Sequence, residues 1–81
     1  MNSQVEDVVL KLSQLEFDET VPRSIRKIIR GESAAFKEND KEINVKINRL
    51  LDVLEDISVD PSVSSDIRTQ IWCLVSILES M

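Results

Sequence analysis

Displaced against itself by 42 positions, this 81-residue chain matches itself at apolar and polar positions alike. Val5 falls on Ile47, Val8 on Leu50, Val9 on Leu51, Leu12 on Leu54 and Leu15 on Ile57. Further on, Val21 meets Val63, Ile25 meets Ile67, Ile29 meets Ile71 and Phe36 meets Leu78. Any two amphipathic helices can be slid into apolar agreement, so the polar coincidences carry more weight. These are Asp18 with Asp60 and Arg26 with Arg68. A chain with such a period folds as two like units, each of which cannot bury its apolar face alone.

The spacing within each unit is helical. Val5, Val8, Val9, Leu12 and Leu15 share one face, behind a capping box in which the Ser3 hydroxyl and Glu6 satisfy free N–H groups. Ile25, Ile28, Ile29 and Phe36 give a second stripe starting near Val21-Pro22. Ile43, Ile47, Leu50, Leu51, Leu54 and Ile57 give a third, and Val63, Ile67, Ile71, Leu74 and Leu78 a fourth. Valine and isoleucine number 18 against 8 leucines, a bias toward strands. No stretch alternates long enough to form one, so burial overrides propensity. Breaks near 17–20, 38–41 and 58–62 are short, which makes successive helices antiparallel. Gly31, inside the second helix, marks a close helix approach or a local weakening. An Asp-bearing turn followed by Ile-Arg also resembles a HEAT-type repeat, but two units make no long solenoid. The expectation is all-α: a single domain, 1–81, forming a compact four-helix bundle from two pseudo-repeated hairpins, about 3–38 and 41–80.

Composition removes most chemistry. With no histidine, one cysteine, one glycine and two prolines, the chain has no imidazole for a catalytic triad and no pair of thiols for a disulfide. It has no glycine-rich phosphate loop and lacks the Cys and His ligands in which zinc sites are rich. Net charge is −5, a surface that repels nucleic acid and anionic lipid. The longest uncharged run, Thr69 to Leu78, is far short of a membrane span, and the start lacks the basic-then-apolar pattern of a secretion signal. A lone Cys73 suits a reducing compartment, so the expectation is cytoplasmic, with no metal, no cofactor and no membrane.

The motifs Val21-Pro22-Arg23-Ser24-Ile25-Arg26, Asp60-Pro61 and Arg68-Thr69-Gln70-Ile71-Trp72, in that order, resemble a family of small uncharacterised archaeal four-helix proteins. The resemblance covers nearly the whole chain. It implies an all-helical fold and a cytosolic archaeal protein without an established activity, so no catalytic residue comes with it. Two departures stand out. Ser64 stands where the family tends to have a second proline, and the second helix carries Ile28, Ile29 and Gly31 where the family is rich in alanine.

Three groups of residues are candidates for function. Arg23, Arg26, Lys27 and Arg30 recur at helical spacing as the only basic cluster, fit to meet phosphates or a partner. Glu16, Asp18 and Glu19 just upstream could equally neutralise them on a solvated face. Trp72, Val75 and Ile77 lie in the wide apolar arc of the fourth helix, which is either deep in its bundle or covered by a partner. Asp18, Asp60, Arg26 and Arg68 form the third group, structural Asp/Arg pairs in which each guanidinium clamps an Asp-bearing turn in a bidentate way. The acids Asp52, Glu55 and Asp56 read as a solvated face, and Cys73 has no charged residue within a turn to activate it. The expected role is a non-enzymatic protein-interaction or scaffolding module, with a protein partner or a second copy of the chain. The alternative is weak nucleic-acid or ribonucleoprotein binding through the basic stripe of the second helix, which the acidic balance disfavours.

Overall fold

The structure, a computed structural model, describes residues 3–38 and 41–81. Four helices follow in order, α1 (Ser3–Glu16), α2 (Arg23–Lys37), α3 (Ile43–Ser58) and α4 (Ser65–Glu79). Helix α1 touches α2 and α4, and α3 touches α2 and α4, whereas no contact runs along either diagonal among the described residues. With connections this short, that ring is an all-α bundle of antiparallel neighbours.

The apolar stripes meet along the axis of the bundle. Val8, Leu12 and Leu15 face Ile25, Ile29 and Phe36, and the second half answers with Leu50, Leu54, Ile57, Ile67, Ile71, Leu74 and Leu78, all buried. Burial follows the repeat: twins such as Leu12 and Leu54, or Val21 and Val63, are inside together. Not every stripe residue is inside. Ile28 and Ile43 are exposed, since each lies at the edge of its helical face, beyond the arc its neighbours cover.

Helix ends are set by different devices in the two halves. Helix α2 begins after Pro22, whose missing N–H costs nothing there, and no side chain caps it. Helix α4 begins after Ser64, whose hydroxyl accepts the Ile67 N–H at 3.3 Å, a contact typically worth about 1 kcal/mol. Ser64 therefore takes the position of Pro22 in the repeat and serves as a cap. The side chain of Ser3, half of the expected capping box, lies outside the described residues, as do residues 39–40 in the second break.

Two residues of α2 are locally unfavourable. A Cβ on Gly31 would meet nothing within 4 Å, so the glycine permits no close approach and only weakens the helix. Ser33 is buried, with no hydrogen-bond partner for its hydroxyl, at the position whose twin is the buried Val75. Replacing either by alanine should stabilise the fold. We expect Gly31→Ala to gain about 0.5–1 kcal/mol and Ser33→Ala up to about 1 kcal/mol. Urea melts check both, and a loss at Ser33 would mean its hydroxyl is satisfied.

Candidate functional site

The repeated Asp builds its turn without the Arg. In the first half the Asp18 Oδ1 accepts the Thr20 N–H at 2.9 Å and the Thr20 hydroxyl at 2.6 Å. In the second the Asp60 Oδ1 accepts the Ser62 N–H at 2.9 Å and the Ser62 hydroxyl at 2.7 Å. Backbone bonds match as well. Asp18 N–H reaches Leu15 O and Val21 N–H reaches Asp18 O, while Asp60 N–H reaches Ile57 O and Val63 N–H reaches Asp60 O. A short carboxylate bonding its own chain two residues on is a compact way to reverse direction. The Thr20 hydroxyl, then its N–H, and to a lesser degree the Arg26 charge hold the Asp18 carboxyl below its ordinary value of 3.8. The Ser62 hydroxyl and N–H do the same for Asp60. Both pKa values being depressed on folding, the turns contribute stability above the ordinary value and lose it as pH falls through the lowered one.

The expected bidentate Arg–Asp pairs do not form: neither Arg26 nor Arg68 has an ion pair among the described residues, and the Oδ1 of each carboxylate accepts from Thr20 or Ser62. Arg68 grips the turn by its carbonyls. Its Nε donates to Ser58 O at 2.8 Å and its Nη2 to Val63 O at 3.2 Å, spanning the turn from the end of α3 to the residue before the cap. Arg26, its twin, does not. Its Nε is buried without a partner.

Around Arg26 the structure opens a cup of about 380 Å³ lined by Arg23, Arg26, Lys27 and Arg30. Upstream acids neutralise this group only in part. Glu16 takes the Arg30 Nε at 3.0 Å, but Arg23, Arg26 and Lys27 form no ion pair among the described residues. At the repeat-equivalent places in α4 stand Ser65, Arg68, Thr69 and Trp72, so the basic cluster belongs to the first half alone.

The arc of α4 is mostly inside. Val75 is buried and so presents nothing to a partner: it lies about 40° round the helix from Ile71, on the face turned to the core. Ile77 is half-buried against the same core. Trp72, about 100° from Ile71, is 48% exposed. The repeat carried a signal for this, since the twin of Trp72 is the exposed Arg30.

One surface had no counterpart in the sequence reading. A groove of about 840 Å³ runs between α1, the end of α2 and the start of α3. Val5, Val9, Leu10, Phe36 and Ile43 supply its apolar lining, with Leu10 58% exposed. Lys37, Lys41 and Lys46 line it too, against the single acid Glu6. The Lys46 ammonium also donates to Phe36 O at 3.3 Å, closing the last turn of α2. These residues come from three separated segments, which no spacing rule joins.

Over residues 1–81 the chain matches the family described as Uncharacterised protein family (UPF0147). It belongs to that family. The UPF0147 protein of Archaeoglobus fulgidus is 37% identical over 75 residues, covering 93% of this chain and 85% of the relative. That of Methanocaldococcus jannaschii is 40% identical over 73 residues, covering 89% and 77%. A third UPF0147 protein, from Saccharolobus islandicus, is 30% identical over 79 residues, covering 98% and 89%. No solved structure matches the chain. Among the described residues of this chain no helix is long and apolar enough to cross a membrane, and no group of three His, Cys, Asp or Glu is placed to hold a metal ion.

The twin arginines give this member of UPF0147 a direct test. Arg68→Ala strands two carbonyls of a part-buried turn and should cost about 1–3 kcal/mol in a urea melt. Arg26→Ala removes a donor that has no acceptor and should fall within about 0.5 kcal/mol of wild type. Equal losses at the two positions would show that Arg26 clamps its turn after all.

Proposed function

We propose that this chain is a non-enzymatic interaction module whose groove between α1, α2 and α3 holds an acidic, amphipathic segment of a partner protein. The groove itself supports the reading: it combines exposed leucine and isoleucine with three lysines on a chain of net charge −5. Exposed apolar surface of this kind is what an amphipathic helix covers with its i, i+3, i+4 and i+7 anchors. The lysines would select acidic residues on the polar face and raise the encounter rate. The rest of the acidic surface would repel the same segment, which fixes where it docks. A cytoplasmic location goes with this reading, because the exposed, unpaired Cys73 suits a reducing compartment.

An amphipathic peptide of about 15 residues, long enough to be partly helical alone, with leucine anchors and glutamate elsewhere, serves as the probe. Fluorescence anisotropy should show saturable, salt-weakened binding to the wild-type chain. Leu10→Glu combined with Ile43→Glu should weaken it at least about tenfold, with far-UV circular dichroism unchanged because both side chains are exposed. Equal affinity in wild type and variant would overturn the groove as the docking site. Concentration-dependent dimerisation abolished by the same two substitutions would make a second copy the occupant instead.

A further inference from the structure

We propose that the cup formed by Arg23, Arg26, Lys27 and Arg30 binds a small anion of the diphosphate class. The internal repeat supplies the comparison. In the second half the corresponding place is held from within: Arg68 donates to two carbonyls, the Ser64 hydroxyl caps α4 by accepting the Ile67 N–H, and Asp66 stands in its first turn. In the first half the same backbone is left open. The Arg26 Nε is buried and unpartnered, no side chain caps α2, and no acid stands in its first turn. The cavity is lined by four cations and nothing else. Of the three acids just upstream, Glu16 engages only the Arg30 Nε, the Asp18 Oδ1 is committed to Thr20, and Glu19 forms no ion pair among the described residues.

Oxyanions are the ligands such a site recognises. Guanidinium forks pair with phosphate oxygens by parallel charge-assisted bonds, and a bare helix N-terminus adds free N–H groups and a favourable dipole. Size argues for a compact ligand. The four cations fall within two turns of one helix, about 10 Å, and line one cavity of about 380 Å³, room for a small anion. No aromatic side chain lines the cup for bases to stack on, and the net charge of −5 disfavours a long polyanion.

Pyrophosphate titrated into the ¹⁵N-labelled chain at low salt is the test. We expect saturable shifts confined to Arg23–Lys27 and Arg30. Arg26→Ala and Arg23→Ala should each weaken binding at least about tenfold, and Arg26→Lys should weaken it less. Lys37→Ala, which removes the same charge elsewhere, should leave it intact. Inorganic phosphate should bind more weakly at the same residues. Three results would overturn the proposal: no saturable shift, equal weakening by Lys37→Ala and Arg26→Ala, or binding of a short single-stranded RNA at these residues without binding of pyrophosphate.

Discussion

A single carboxylate oxygen, accepting from both the N–H and the hydroxyl two residues on, reverses this chain twice. Everything else in the bundle depends on those two reversals. With Asp18 held by Thr20 and Asp60 by Ser62, each pair of helices is returned in register, and Leu12 and Leu15 can meet the stripe of α2 as Leu54 and Ile57 meet that of α4. The apolar side chains supply most of the stabilisation, since burying a leucine or isoleucine is worth about 1.5–3 kcal/mol each. They supply it only if the turns place them face to face. The two hairpins then close on each other through the α2–α3 and α1–α4 contacts, and on the α2–α3 side Arg49 bridges to Glu32. An exposed pair of that kind orients more than it stabilises.

Duplication also explains where the molecule is free to differ. A turn that closes by its own carboxylate leaves the arginine eight residues on without an obligatory partner. In the second half that arginine grips carbonyls and locks the hinge. In the first it stands in a basic cup, beside cations whose twins are Ser65, Thr69 and Trp72. One copy of the hairpin is thus committed to holding the fold, and the other has a surface left over. Much the same division appears in the cores. Val75 fills its position in α4, whereas the equivalent Ser33 leaves a hydroxyl unpaired.

The fold was legible because its signals are local and repeated: 3.6-residue spacing for the helices, and the self-match for their pairing. The place of the arginines was half legible. Sequence tied both Arg26 and Arg68 to their turns, and only Arg68 holds its own, through carbonyls; an arginine eight residues from an aspartate invites an ion pair. Nothing in the spacing says that Thr20 and Ser62 reach the carboxylates first. Trp72, Val75 and Ile77 carried one expectation and part company in the structure, Val75 buried and Trp72 exposed, because a wide apolar arc does not say where its edge lies. The exposed twin of Trp72, Arg30, does. The groove was not legible at all. Its walls come from α1, α2 and α3, and only the closed ring of helices brings Leu10 near Ile43 and Lys46.

The claim that both reversals rest on the same carboxylate contact is tested most directly by amide hydrogen exchange at Thr20 and Ser62. Measured as protection factors, which remove the intrinsic pH dependence of exchange, the two amides should be protected alike at neutral pH. Protection at both should fall together as the pH drops through the lowered range of Asp18 and Asp60. Protection of one amide with free exchange of the other at neutral pH would contradict the account, as would protection that acid leaves unchanged.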